Sequence, residues 1–176
     1  MTPQNLVMNT IPVMPVESLV LDPFAGRVAV APGEVFVNMT GHGIREKLAR
    51  LETALLAETG VDMPVEHHFS RGVYARELSI PKGTVLVGKI HKFSQINIIS
   101  KGEISVLTDE GVKRIKAPFT LVSLPGVKRA GYAHEDTVWT TIHGTDETDL
   151  ERLEEQLIAG SFEEYDNFCA ALSQGE

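Results

Sequence analysis

A succession of short β-type segments between residues 65 and 143 constrains the fold more than any other feature. The segments are rich in Val, Ile, Thr and Tyr: "GVYARELSI", "TVLVGKI", "INIIS", "EISVLT", "VKRIKA", "FTLVS", "AGYAH" and "TVWTTIH". Turn signals separate them, among them Pro81-Lys82-Gly83, Lys101-Gly102 and Pro125-Gly126. Seven or eight strands at this spacing, with no helical pattern between them, predict a mainly β domain built as a sandwich or barrel. We assign residues 61–144 to it.

The segment before the barrel contains two different patterns. Residues 1–42 are apolar and broken by prolines, which predicts an extended arm with short strands such as Val28–Val30 and Val35–Val37. Such an arm needs a surface to cover, on its own barrel or on a neighbouring subunit. Residues 43–60 carry an amphipathic helix, which packs on its own domain or pairs with another subunit. Its apolar stripe consists of Ile44, Leu48, Leu51 and Leu55.

Residues 145–176 predict one or two acidic helices at the C-terminus. Thr148-x-x-Glu151 and Ser161-x-x-Glu164 have the spacing of helix capping boxes. From residue 146 to 166 there are nine acidic residues and one base, Arg152. This charge either belongs to a solvated helix face or forms a docking surface for a basic partner.

Charge and composition exclude several classes of protein. The net charge of −8 argues against general nucleic-acid binding. No apolar run approaches the roughly 20 residues that a membrane helix requires, and the N-terminus lacks the basic region of a signal peptide. The single cysteine, Cys169, excludes an internal disulfide and fits a reducing cytoplasm.

The β region resembles the cupin superfamily of small jelly-roll barrels, which usually hold a divalent metal inside the barrel. Gly83, His91 and Gly102 match its first motif, in which Gln95 stands at the glutamate position and Phe93 at the second histidine position. In the second motif Pro125 and Gly126 match, Arg129 replaces the last histidine, and Ala133 replaces the asparagine. The resemblance implies a single cupin-type jelly-roll barrel in which one of four usual ligand positions keeps its residue.

Residues 65–155 also resemble a narrower group, small cupin-like proteins encoded by tailed bacteriophages. That resemblance implies a phage or prophage source, and a location in the cytoplasm of the infected host or in the virion. Partners would then be further copies of the chain, as a homo-oligomer, and other phage structural proteins. The contacts would be made by the N-terminal arm and the acidic C-terminal helices.

The ligand set argues against a metal cofactor, so we expect none. Phe93 offers no donor atom, Gln95 is a weak neutral ligand, and the cation of Arg129 repels a divalent metal. If a metal were bound, His91 and His143 would be its ligands, with His67 or His68 as a third. The alternative for these histidines is a surface or hydrogen-bonded role.

A metal-free pocket is the other chemical hypothesis. Its polar mouth would consist of His91, Gln95, Asn97, Arg129, Tyr132 and His143. Arg129 beside Lys128 would hold a carboxylate or phosphate. Alternatively, Arg129 pairs with an acidic residue at the barrel rim, where Glu103, Glu135 and Asp136 are available.

Three functions remain at this point, and no catalytic residue is assigned. The first is a non-enzymatic, oligomeric phage protein that acts by assembly or binding, as a virion structural or accessory component. The second is a protein that binds a small anionic metabolite, or an anti-defence accessory factor. The third is a metal-dependent cupin enzyme. The degenerate ligand set favours a non-enzymatic role.

Overall fold

The computed structural model describes residues 43–108 and 111–174, which form three helices and eleven strands. In chain order these are α1 Ile44–Leu56, β1 Val65–Ser70, β2 Val73–Ile80, β3 Val85–Val87, β4 Ile90–His91, β5 Gln95–Lys101, β6 Glu103–Thr108, β7 Gly111–Lys116, β8 Phe119–Ser123, β9 Ala130–Ala133, β10 Thr137–His143, α2 Leu150–Leu157, β11 Ile158–Ala159 and α3 Phe162–Gln174. The predicted arm, with its strands Val28–Val30 and Val35–Val37, lies outside the described residues.

The strands form two main antiparallel sheets. One has the order β1-β2-β10-β5-β8, and the other has the order β3-β9-β6-β7. Without the edge strand β1, four strands in each sheet alternate between early and late parts of the chain, which is the strand order of a jelly roll. The mainly β jelly-roll prediction is therefore confirmed. Strand β1 and the short pair β4–β11 are additions that the estimate of seven or eight strands did not include.

A glycine makes the tight connection between β5 and β6 possible. Gly102 has a φ of 85°, in the left-handed region that favours glycine. A Cβ atom at this position would lie 2.3 Å from the carbonyl oxygen of Asp136. The turn therefore brings the backbone between β9 and β10 closer to the β5–β6 connection than any side chain at residue 102 would permit.

The predicted amphipathic helix is present as α1 and packs on the barrel of its own chain. Its buried residues Leu48, Leu51 and Leu55 contact an apolar cluster on β3, β6 and β9. At the side of this contact, Lys128 Nζ lies 2.5 Å from Glu52 Oε2. The apolar stripe thus covers the outer face of the four-stranded sheet.

Both C-terminal helices are present, but the N-cap of the first lies one residue later than predicted. The N-cap of α2 is Asp149, whose side chain accepts a hydrogen bond from the Arg152 amide, so the predicted cap at Thr148 was wrong. Ser161 does cap α3, because its Oγ accepts from the Glu164 amide at 3.1 Å. Across the described part of the chain, no helix is long and apolar enough to cross a membrane.

Strand β11 attaches this C-terminal segment to the barrel. It pairs with β4, so that Ile158 lies opposite His91. Leu153 and Leu157 of α2 are buried with Tyr74 of β2. Helix α3 has no buried residue, and one of its contacts is the edge-to-face packing of Phe168 on Phe93.

Candidate ligand-binding cavity

A cavity of about 140 Å³ lies between the two sheets. Its apolar part is lined by aliphatic side chains such as Leu78, Ile80 and Ile104. Leu157 and Ile158, from the segment that pairs with β4, close another part of its wall. The volume is close to that of protein cavities that hold benzene, about 150 Å³, so a compact molecule of roughly six to ten non-hydrogen atoms fits.

The inward-facing side chains of β2, β5, β8 and β10 form rows that change from polar to apolar along the barrel. Because successive side chains of a strand face opposite sides, every second residue enters the interior. The first row is Ser123, Gln95, His143 and Tyr74; the second contains Asn97, Thr141 and Arg76; the third contains Ile99, Trp139 and Leu78. The polar rows place hydrogen-bonding groups at one end of the cavity.

Asn97 holds the second row together. Its Oδ1 accepts hydrogen bonds from Trp139 Nε1 and from Thr141 Oγ1, each at 2.9 Å. Because the indole N–H can only donate, this contact fixes which end of the amide is the oxygen. The Asn97 Nδ2 group then donates to Ser123 Oγ at 2.9 Å. Asn97 therefore orients its neighbours.

Ser123 receives a second donor from Arg129, whose Nη1 lies 2.6 Å from Ser123 Oγ. Since both neighbours donate, the hydroxyl oxygen of Ser123 acts as an acceptor twice, and its own proton must point elsewhere. Ser123 is fully buried and lies opposite Gln95 across the β5–β8 pair. The pair Ser123 and Arg129 thus presents hydrogen-bond donors beside Gln95.

His91 and His143 stack on each other inside the cavity. Their ring centroids are 5.1 Å apart, and the ring planes differ by 18°. The pKa of His91 is lowered to about 3, mainly by burial and in addition by the nearby His143, Arg76, Arg129 and Lys89. Burial also lowers the pKa of His143 to about 4. Both rings are therefore neutral at pH 7.

Tyr74 continues this stack towards the edge of the sheet. Its ring lies 6.4 Å from that of His143 and 5.9 Å from that of His67, nearly parallel to both. The Tyr74 hydroxyl group is 2.8 Å from His67 Nδ1. Burial raises the pKa of Tyr74 to about 12, so the phenol stays protonated.

The charged side chains in the cavity wall are all cationic. Arg76, Lys89 and Arg129 line the cavity, and no Asp or Glu of the described residues does. Lys89 forms an ion pair with Glu154 of α2, which is outside the lining. Burial lowers the pKa of Arg76, but a guanidinium remains charged in a protein. The described side chains that line the cavity therefore include three cations and no anion.

Among the described residues, the buried polar atoms without a hydrogen-bond partner include two atoms of the cavity wall, Nδ1 of His91 and Oε1 of Gln95. Only 5% of Gln95 is exposed. An unpaired buried acceptor costs about 1–3 kcal/mol, so these atoms are candidates for contacts with a bound molecule.

The donor set does not fit the divalent metal that a cupin barrel usually holds. Two neutral imidazoles, His91 and His143, are the strong donors in the lining, and no carboxylate accompanies them. Among the described residues, no group of three potential metal-ligating side chains includes His91 or His143. Two guanidinium groups in the same wall repel a cation.

A set of three metal-ligating side chains does exist elsewhere. Within residues 43–108 and 111–174, Glu66, His68 and Glu77 are the one such group. They lie on β1 and β2, and Glu66 and His68 alternate with the inward-facing His67, so this group is on the outer face of the sheet. It does not contribute to the cavity.

The structure brings most of the predicted site residues together. His91, Gln95, Asn97, Arg129 and His143 all line the cavity. Glu103 was one of the three acidic residues predicted as possible partners of Arg129. In the structure it forms ion pairs with Arg114 and Lys116.

Tyr132, which was also predicted for the site, does not line the cavity. It faces the other side of β9, where it packs with the apolar residues under α1 and lies edge-on to His134. The period of two explains this position, because the neighbouring Gly131 faces inward. Lys128 likewise points away, towards Glu52 of α1. Phe93 contacts Phe168 and does not plug the cavity.

Five polar residues of the cavity wall were not predicted from the sequence. These are Tyr74, Arg76, Lys89, Ser123 and Thr141. Alternation along "VYARELSI" was a usable signal, because Tyr74, Arg76, Leu78 and Ile80 share one face of a strand. No comparable signal marks Ser123, whose role depends on pairing with β5.

Solved structures with a similar fold match about half of the chain. An acetylacetone dioxygenase from Acinetobacter johnsonii is 15% identical, with a TM-score of 0.40 over 49% of this chain and 61% of that enzyme. A cupin domain from Bordetella pertussis is 14% identical, with a TM-score of 0.40 over 50% of this chain and 98% of that domain. KdgF from a Halomonas species is 14% identical, with a TM-score of 0.40 over 48% of this chain and 87% of that protein.

These similarities do not extend to activity, substrate or cofactor. The chain spans less than two thirds of the Acinetobacter enzyme. No protein-family model matches the sequence, and no curated protein matches it significantly. The best guide to what the cavity binds is therefore the set of residues that line it.

Proposed function

We propose that the barrel binds a small organic anion, a carboxylate or phosphate, in its interior cavity. One observation carries this proposal: the cavity wall contains Arg76, Lys89 and Arg129 and, among the described residues, no acidic side chain. Guanidinium groups suit carboxylates and phosphates because they donate hydrogen bonds in a planar, charged arrangement.

The surroundings of these cations increase the preference for an anion. The apolar part of the wall lowers the local dielectric constant, which strengthens the attraction between opposite charges. The neutral imidazoles of His91 and His143 neither repel an anion nor bring a proton with them at pH 7.

The test is a substitution that removes a charge from the cavity wall. Trp139, the single tryptophan of the chain, lines the cavity and reports ligand entry by its fluorescence. Propanoate, lactate, glycerate and inorganic phosphate are titrated into the wild-type protein at pH 7. We expect Arg129→Met to weaken the best binder at least tenfold, about 1.4 kcal/mol, because a charge-assisted contact is lost.

The matched control is Arg114→Met, since Arg114 is exposed on β7 and pairs with Glu103. It should bind as the wild type does. The proposal is wrong if none of the four anions binds, or if both variants lose affinity equally. Circular dichroism checks that Arg129→Met is folded.

A specific observation also favours assembly as a second function. Strand β8 is an edge of its sheet; Val122 on this strand is 64% exposed, and Leu124, the residue that follows it, is 67% exposed. An exposed apolar edge strand readily pairs with a second copy of the chain. We therefore also propose that the chain forms a homo-oligomer, in the virion or in the infected cell. The N-terminal arm and the acidic helices would make its further contacts, including those with other phage proteins. The phage part of it comes from the sequence resemblance.

Light scattering on the full-length protein tests this assembly. The double variant Val122→Lys, Leu124→Lys should dissociate the oligomer, because lysines on an edge strand block pairing. Leu56→Lys is the control, since Leu56 is equally exposed but lies on α1. A monomeric wild-type protein would contradict assembly.

The metal-dependent enzyme is the third possibility, and the donor set of the cavity speaks against it. We propose that the barrel functions without a metal cofactor. Elemental analysis of protein expressed with iron, zinc, nickel and manganese is the test. A stoichiometric metal that is lost in His91→Phe would overturn this part of the proposal.

A further inference from the structure

Gln95 indicates which kind of anion the cavity takes. Its Oε1 is a hydrogen-bond acceptor with no donor, and 5% of the residue is exposed. A simple carboxylate offers only acceptors, so it would leave this oxygen unpaired. A ligand that satisfies Gln95 must carry a donor group of its own.

The anion position lies next to this acceptor. Gln95 and Ser123 are directly opposite each other on β5 and β8, and Arg129 donates to Ser123 Oγ. Opposite residues of an antiparallel pair have Cβ atoms about 5 Å apart. A molecule whose anionic group contacts Arg129 and the Ser123 hydroxyl therefore places the neighbouring one or two carbons at Gln95.

We propose that the ligand is a 2-hydroxy or 3-hydroxy carboxylic acid, bound with its carboxylate at Arg129 and Ser123 and its hydroxyl group donating to Gln95 Oε1. This inference rests on the proposed anion-binding function. Nδ1 of His91, which also has no hydrogen-bond partner, offers a second polar contact to a further hydroxyl group. The cavity volume of about 140 Å³ fits an acid of three to five carbons.

Asn97 makes this arrangement specific. Because its amide is held by Trp139 and Thr141, its Nδ2 must donate to Ser123 Oγ. This bond and the one from Arg129 use both lone pairs of Ser123 Oγ, so Ser123 acts as a donor towards the ligand. Donors from Ser123 and Arg129 and an acceptor on β5 thus match a carboxylate and a hydroxyl in one orientation.

Matched pairs of acids test the proposal. Lactate and propanoate differ by the 2-hydroxyl group, and 3-hydroxybutyrate and butyrate differ by the 3-hydroxyl group. Binding at pH 7 is followed by Trp139 fluorescence and by isothermal titration calorimetry. We expect one hydroxy acid to bind at least tenfold more tightly than its deoxy partner, because the deoxy acid leaves Gln95 unpaired.

The variant Gln95→Met keeps the size of the side chain and removes the acceptor. In it the hydroxy and deoxy acids should bind within twofold of each other, while the deoxy acid binds as it does to the wild type. Gln95→Glu, which keeps an acceptor but adds a negative charge, should weaken every acid.

The outcomes separate this inference from the anion-binding proposal. Equal binding of hydroxy and deoxy acids to the wild type, with a loss of both in Arg129→Met, refutes the hydroxy acid and leaves the anion site intact. A hydroxyl preference that is unchanged in Gln95→Met also refutes the inference. If no acid binds but inorganic phosphate does, the hydroxy-acid inference fails and the anion site stands. If phosphate does not bind either, the anion-binding proposal itself fails.

Discussion

Asn97→Ala should be among the most destabilising single substitutions of an interior polar residue. Asn97 is 3% exposed, and its side chain makes three hydrogen bonds, to Trp139, Thr141 and Ser123. Truncation leaves the Trp139 N–H and the Thr141 hydroxyl without their acceptor. Each unpaired buried group costs about 1–3 kcal/mol. Water that enters from the adjacent cavity would recover part of this cost, so we expect a loss of about 2–4 kcal/mol.

Urea denaturation followed by Trp139 fluorescence measures this loss. The unfolding midpoint should fall with an unchanged m-value, since the exposed surface is the same. Two controls sharpen the interpretation. Lys101→Ala, on the exposed end of the same strand, should change stability by less than about 0.5 kcal/mol. Asn97→Asp keeps both acceptor bonds and lets Ser123 donate, so it should lose less than Asn97→Ala. A loss below about 1 kcal/mol for Asn97→Ala would refute the reasoning.

Two further predictions concern the stability of the protein at low pH and the packing of Gly126 against Tyr165 of α3. Folding lowers the pKa of His91 to about 3 and that of His143 to about 4, so the unfolded chain takes up protons first. Stability should therefore be complete above about pH 6.5 and fall by about 2 kcal/mol per ring by pH 5. In the double variant His91→Phe, His143→Phe, the free energy of unfolding measured by urea denaturation should fall less between pH 7 and pH 5 than in the wild type. An equal fall in the two proteins would contradict this prediction. Gly126→Ala should cost about 1–2 kcal/mol, because its φ is 76° and a Cβ would lie 2.4 Å from the Tyr165 ring; a neutral result in thermal unfolding contradicts it.

The sequence predicted those parts of the fold that depend on local periodicity. The alternation in "TVWTTIH" and the stripe of α1 are visible within ten or so residues, and both elements are present. The cap of α2 was misplaced by one residue because Thr148 and Asp149 are both good caps, and the competition between them is decided by the following turn.

The site was harder to predict because it depends on the register between strands. Arg76 enters the cavity beside Thr141, and Ser123 lies beside Gln95, only because β2, β10, β5 and β8 pair in one register. A shift by one residue would turn all of these side chains to the outer face. Tyr132 illustrates the same difficulty. It was predicted to line the cavity, whereas its neighbour Gly131 does so and Tyr132 faces the other side of the sheet.

Gln95→Met and Asn97→Ala should have opposite effects on stability, although both replace a buried amide on β5. Asn97 has its acceptor satisfied twice, whereas Gln95 Oε1 has no partner in the unliganded protein. Replacing an unsatisfied buried acceptor by an apolar group of similar shape removes a cost of about 1–3 kcal/mol. We therefore expect Gln95→Met to unfold at the same or a higher urea concentration than the wild type while losing its preference for hydroxy acids. A residue that lowers stability in exchange for recognition is a mark of a binding site. Equal destabilisation by both substitutions would mean that Gln95 is part of the same structural network as Asn97, and that the hydroxyl contact is not its role.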